Sequence, residues 1–317
     1  MESSIIIVNH NGKELTKSLI SSINKSSYKS YEVIVVDNNS SDGSEEYIRK
    51  NCGGVKLIKN RENLGYSGIN SAVKHCSGQY IIFLNNDMEL DKNCLANMVK
   101  SIKSDKNAAM IAPKVVNFYD RGIKSGGTWV SRAFYSGHIN GNSKNKTREI
   151  PYLGVGLIRK DFVDMFGYLF DPDYFIYAED LDLGLRIRLN GKKILFDPKS
   201  IMYHMHSVTM QKRSRAFATF LMERNLLITF FKIMSAGSIF AYSPYVLFAR
   251  LIAIAKDIIT LRFNLAFARL QAMAYVFLNF TSILKKRAST QNFRKMDDNY
   301  ILEVFSEKYI FKPRFIV

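Results

Sequence analysis

One feature constrains this chain more than any other: a short, continuous apolar run that stops abruptly at polar residues. It occurs four times in the first 118 residues, as SIIIVN (4–9), YEVIVVD (31–37), VKLIK (55–59) and QYIIFLN (79–85). Apolar, β-branched residues on successive positions suit strands covered on both faces, as in a parallel sheet. Helical periodicity separates the runs. Leu15, Leu19 and Ile23 share one face, Leu95, Met98, Val99 and Ile102 share another, and Gly65 to Cys76 reads as a third helical segment. Strand–helix alternation of this kind predicts an α/β fold.

The polar stops fall where such sheets bind ligands, beyond the carboxyl ends of the strands. They are Asn9-His10-Asn11, then Asp37-Asn38-Asn39-Ser40-Ser41-Asp42, then Arg61-Glu62-Asn63, then Asn85-Asn86-Asp87. Turn chemistry accounts for any one of them, because Asn and Asp bond their own backbone and tolerate unusual dihedrals. Four on the same edge of one sheet describe a site. Neither GxGxxG nor GxxxxGK[ST] occurs, so no dinucleotide or P-loop signature is present. A carboxylate at Asp37 suits a base N–H or a ribose hydroxyl. One at Asp87 suits a divalent cation shared with a diphosphate, since hard cations take oxygen ligands.

Charge and cysteine content narrow the partners. The net charge is +17, and residues 201–317 hold 17 Lys/Arg against 6 Asp/Glu, an excess of 11. That bias predicts an anionic partner. Cys52, Cys76 and Cys94 are odd in number and form no CxxC pair, which argues against a disulfide framework or a zinc site and for a reducing compartment. The opening MESSIIIVNHN lacks a basic n-region and reads as a first strand, not a signal peptide.

The ordered blocks VNHN (8–11), DNNSSDGS (37–44), NLGYSGIN (63–70) and FLNND (83–87) resemble the nucleotide-sugar-binding half of a family 2 glycosyltransferase. The likeness continues through GVGLIRK (154–160), DPDYFIYAEDLDLGLR (171–186) and FDPKSIMYH (196–204), covering about residues 3–210 and leaning to the rhamnosyltransferase-like branch. It implies a GT-A fold, a mostly parallel central sheet flanked by helices. Residues 1–210 would be the catalytic domain, with a nucleotide-sugar half at about 1–118 and an acceptor half at about 119–210. Residues 211–317 would be a basic, apolar, helical extension associated with a membrane.

The resemblance also assigns roles. Val8, Asn9, Asp37, Asn39, Asn63, Gly65, Asn70 and Asn86 would line the nucleotide-sugar site. Asn63-Leu64-Gly65 reads equally as a helix cap and a packing glycine. Asp87 matches the last carboxylate of a D-x-D-type motif whose first position is here Asn85. It would contact Mg²⁺ or Mn²⁺ with His204, for which His206 is a rival, and the cation would lean on substrate phosphates and water. Gly154, Gly156 and Arg224 would face the acceptor. In the Glu179-Asp180 pair, Asp180 matches the general base and Glu179 its support; Asp182 reads as structural, with Arg186 its ion-pair partner.

The implied activity is inverting, metal-dependent transfer of rhamnose or another hexose from a nucleotide diphosphate to a glycan or polyprenyl-linked acceptor, in the making of surface polysaccharide or glycoprotein. A processive synthase would show QxxRW, yet the single tryptophan, Trp129, precedes the Glu179-Asp180 pair. A non-catalytic nucleotide-sugar or nucleic-acid-binding module is the alternative; no nucleic-acid motif supports it. The uncharged stretches 233–249 and 270–284 are short for bilayer spans and flanked by Lys/Arg. They predict helices lying on an anionic membrane, at the cytoplasmic face, or else packed on the catalytic domain.

Overall fold

The computed structural model describes residues 1–122, 127–131, 133–139, 148–205 and 214–303. The four apolar runs form β1 (Ser3–Asn9), β2 (Tyr31–Asp37), β3 (Val55–Lys59) and β4 (Tyr80–Asn85). Later strands are β5 (Met88–Leu90), β6 (Ala108–Asn117), β7 (Gly127–Val130), β8 (Ser136–Ile139), β9 (Arg148–Glu149), β10 (Gly156–Arg159) and β11 (Lys193–His204). Nine of them make one sheet, ordered β3-β2-β1-β4-β10-β6-β11-β5 with β9 against β11, while β7 and β8 pair separately. β1 to β4 are mutually parallel, as is β6 with β11; β10, β5 and β9 run antiparallel to their neighbours.

Successive side chains of a strand point to opposite faces, and both faces here are covered. Ile5, Ile7, Val33 and Val35 enter one apolar cluster, whereas Ile6, Ile34 and Val36 enter another. The first cluster is closed by α1 (Lys13–Asn24) and α4 (Cys94–Ser104), with Leu19, Ile23, Leu95, Met98 and Ile102 buried. The second takes residues from the segment after β3. That segment is not one helix: a 3-10 turn at Gly65–Ile69 leads into the short α3 (Asn70–Val73). α2 (Ser44–Asn51) follows β2, and α5 (Lys160–Phe166) and α6 (Glu179–Leu189) follow β10.

The C-terminal helices are α7 (Arg215–Ile233), α8 (Ala236–Ile259), α9 (Phe263–Leu278), α10 (Phe280–Gln291) and α11 (Asp298–Leu302). They share a third apolar cluster with the residues before them, in which Tyr152, Tyr174, Leu181 and Leu185 meet Leu226, Phe230, Val276 and Ile283. The proposed domain boundary near 210 lies outside the described residues.

One length expectation changes. The first uncharged stretch does not end at Arg250, because that guanidinium is buried, donating to Ala133 O and paired with Glu223. α8 therefore runs 24 residues, long and apolar enough to cross a membrane by length and composition. Much of it is uncovered: Phe240 is 87% exposed and Ile259 80%, and Phe277 on α9 is 80% exposed.

Candidate active site

The parallel register brings the polar ends of β1, β2 and β4 to one edge, with Asn9 opposite Asp37 and Val8 opposite Asn85. Asn9 ties three of these ends together. Its Nδ2 donates to Asp37 Oδ1 at 2.8 Å, and its Oδ1 accepts from Asn86 Nδ2 at 2.9 Å and Thr16 Oγ at 2.8 Å. Asp37 is fully buried; Ser40 closes an Asx-type turn on it through Oγ at 2.6 Å and its backbone N–H at 2.9 Å. The next residue but one, Asn39, is exposed in the left-handed region that Asn tolerates. Val8 is half-buried.

Asn63 accepts from the Gly65 N–H at 2.9 Å, and Asn38 donates to Gly65 O at 2.7 Å. Gly65 has φ +62°, and a Cβ there would lie 2.0 Å from Phe175 O. Only glycine allows the segment before α6 to come so close. Asn70 is committed to the same segment: Nδ2 donates to Phe170 O, and Oδ1 accepts from the Leu169 N–H. Asn63, Gly65 and Asn70 thus join the two halves of the chain.

Asp87 meets His204 across 117 positions of sequence, with Oδ2 3.2 Å from Nε2. β5 pairs antiparallel with β11 and sets His204 opposite Met88, while the Met205 N–H donates to Asp87 O. His206 lies outside the described residues. Among the described residues no group of three or more His, Cys, Asp or Glu forms a metal site. One carboxylate oxygen and one imidazole nitrogen still suit a divalent cation that takes its other ligands from substrate phosphate and water.

Glu179 and Asp180 open α6, and the two residues before them, Tyr177 and Ala178, both have positive φ. Asp180 Oδ1 accepts from the Leu181 N–H, and a Cβ added at Gly154 would sit 3.7 Å from its Oδ2. Gly154 therefore leaves space in front of the carboxylate. Gly156 is glycine for another reason: its Cβ would lie 2.3 Å from Ile111 O on β6, so it serves strand packing. Burial, then the charge of Asp180, pushes the Glu179 carboxyl up to about 8, and its Oε2 is buried without a hydrogen-bond partner. A carboxylic acid held neutral beside a carboxylate splits the pair into two roles.

Tyr66 lies within the NLGYSGIN block and Tyr152 just before GVGLIRK, and neither was singled out in the sequence. Tyr66 donates to Gly154 O at 2.8 Å, and its phenol is pushed well up by burial and by the charges of Glu179, Asp87 and Asp180. The Tyr152 phenol is raised by burial and by Asp180. Tyr66 is thus within electrostatic reach of Asp87 and of the Glu179–Asp180 pair.

Asp182 and Arg186 are fully buried and paired at 2.9 Å, a structural link. Arg224 is buried, donating to Asn225 Oδ1 and Asp173 O, each at 2.9 Å. It supports the segment before α6 and approaches the site through it.

The sequence pattern described as Glycosyl transferase family 2 matches residues 4–166. A rhamnosyltransferase of Escherichia coli K12, WbbL, is 26% identical over 238 residues, covering 67% of this chain and 87% of that protein. The Escherichia coli glucosyltransferase WfgD, described as UDP-Glc:α-D-GlcNAc-diphosphoundecaprenol β-1,3-glucosyltransferase, is 34% identical over 86 residues, 26% of this chain and 34% of its own length. Among solved structures, GalNAc-T7 with UDP, GalNAc and Mn²⁺ superimposes with a TM-score of 0.61 at 21% identity. That match covers 72% of this chain and 48% of the GalNAc-T7 chain. The sheet and its flanking helices are those of the GT-A glycosyltransferases.

Proposed function

The chain belongs to glycosyl transferase family 2, and we propose that it is an inverting enzyme moving a hexose, rhamnose among the candidates, from a nucleotide diphosphate to a lipid-linked glycan. One observation carries the reading: the Tyr66 hydroxyl, bonded to Gly154 O, lies within electrostatic reach of Asp87, Glu179 and Asp180, which supports the donor edge of the sheet and the carboxylate pair of α6 serving one site. Asn9, Asp37, Asn39 and Asn86 form the nucleotide side of it, with Val8, Asn63, Gly65 and Asn70 shaping its walls. Asp180 removes the proton of an acceptor hydroxyl as that oxygen bonds to the anomeric carbon and the bond to the diphosphate breaks. Glu179, its carboxyl pushed up by burial and by the charge of Asp180, supports Asp180 as the base of the pair. Asp87 and His204 would hold the divalent cation, which supplies positive charge to the departing diphosphate. Gly154 gives the acceptor room, and Arg224 holds the segment that aims the base.

The exposed apolar side chains of α8 and α9 and the basic C-terminal third support a peripheral seat on the anionic, cytoplasmic face of a membrane, where a polyprenyl-linked acceptor would be met. Flotation with anionic vesicles at low and high salt checks this: an interfacial seat weakens as salt rises, and salt-resistant binding would mean an integral α8. The enzymatic reading is tested by incubating the protein with radiolabelled nucleotide sugars, Mn²⁺ and a polyprenyl-diphosphate-linked sugar. Transfer with inverted anomeric configuration is expected. Tight donor binding with no turnover across the panel would favour a binding module instead.

A further inference from the structure

The backbone that leads into Glu179 and Asp180 is disfavoured. Tyr177 and Ala178 stand at φ +71° and +60°, consecutive non-glycine residues in the left-handed region. Such conformations persist when surrounding structure over-determines them. Here the surrounding structure is α7. Asn225, fully buried, donates through Nδ2 to both Ile176 O at 3.0 Å and Tyr177 O at 2.7 Å. Its Oδ1 is fixed by Arg224 Nε, and Arg224 reaches on to Asp173 O. One turn along, Thr229 meets the Tyr174 hydroxyl at 2.8 Å, and at the next turn the Lys232 ammonium lies 2.6 Å from Asp171 and from Asp182. Asn225, Thr229 and Lys232 are spaced i, i+4, i+7, so they lie on one face of the helix.

We propose that this face of α7 is a clamp on the base, with Asn225 the positioning residue that holds the 176–178 turn and thereby aims Asp180 at the acceptor. The clamp makes the C-terminal helices part of the catalytic apparatus. A donor-binding edge built on β1, β2 and β4 does not need it, whereas the direction of the first turn of α6 does. Misplacing a reacting group by about 1 Å costs on the order of 10²-fold in rate. The catalytic consequence rests on the function proposed above; the structural claim does not.

The experiment compares the full-length parent with Asn225→Ala and with Arg224→Gln, which leaves Asn225 in place but unfixed. Hydrogen exchange at the Asp182 amide, bonded to Ala178 O, reads the turn directly. It should speed by at least tenfold in Asn225→Ala and by less in Arg224→Gln. Transfer kcat should fall in the same order, about 10²-fold for Asn225→Ala, with UDP and GDP affinity in Mn²⁺ within twofold of the parent. Exchange as slow as in the parent overturns the clamp whether or not any transfer is found. A parent that transfers nothing, with exchange accelerated in the variant, would instead refute the enzymatic reading and leave the clamp standing. If Asn225→Ala loses donor affinity or melts early, Arg224→Gln decides: parental exchange and kcat there sink the proposal.

Discussion

The two sides of the site are built by opposite means. At the nucleotide edge, the polar side chains hold one another: Asn9, Asp37, Ser40 and Asn86 bond within and between neighbouring strand ends. The base side is held from afar. Asp171 is gripped by Lys232, 61 residues on, and by Lys286, 115 residues on, and the turn before Glu179 hangs from Asn225. The proposed nucleotide edge is preorganised once the sheet sets the ends of β1, β2 and β4 side by side. A base aimed by helices remote in sequence is only as well placed as their packing, and that packing includes buried charges.

Four changes separate the two sides. The largest effect is expected from Asp180→Asn, which keeps shape and removes basicity. Transfer should fall by about 10²–10⁴-fold with donor affinity unchanged, as for a missing general base; steady-state kinetics with a donor titration checks both. Next comes Lys232→Met, which strips a fully buried ammonium from two buried carboxylates. Breaking such a pair costs about 3–5 kcal/mol, because the partners stay buried and charged. Urea unfolding should show a loss of that order. Ser40→Ala, the matching cut at the donor edge, removes the hydroxyl's bond to the Asp37 carboxylate along with those it accepts from Asn9 Nδ2 and the Asn11 N–H, and the charged bond sets a cost of about 1.5–3 kcal/mol. If Ser40→Ala destabilises more than Lys232→Met, the contrast between the sides is wrong.

The fourth effect is a slope with pH. The Glu179 carboxyl rises to about 8 in the folded chain, so between its ordinary range near 4.5 and pH 8 the native state keeps a proton that the unfolded chain releases. Stability attributable to this group is therefore complete below that window and is lost as pH rises through it. Thermal melts from pH 5 to pH 8 should decline less steeply in Glu179→Gln than in the parent.

The same contrast explains what could be read from the sequence. β1 to β4 announce themselves because each is a run of successive apolar residues with its polar stop attached, so the strand ends and their residues came as one signal. Asp87 was nameable from its strand end, but His204 only through a family likeness. Their meeting depends on β5, three residues long and too short to show a period, pairing with the far end of β11. The roles of Asn225, Thr229 and Lys232 went unread in the sequence, because nothing local states that their partners are Tyr177 O, Tyr174 and Asp171. Tyr66 sat inside the NLGYSGIN block without being singled out, since a tyrosine beside glycines reads as ordinary packing. Arg250 misled in the other direction: a charge marks the end of an apolar helix only when it is solvated, and this one is buried against Glu223.

The central claim is that Asp87 and His204 serve the donor while Asp180 serves the acceptor, on two separately held sides of one space. The most direct test is calorimetric titration of UDP and GDP, with and without Mn²⁺, into the parent, Asp87→Ala and Asp180→Asn. The account predicts that Mn²⁺ tightens binding of the preferred nucleotide in the parent and equally in Asp180→Asn, and has no effect in Asp87→Ala. An undiminished Mn²⁺ effect in Asp87→Ala, or its loss in Asp180→Asn, would contradict it.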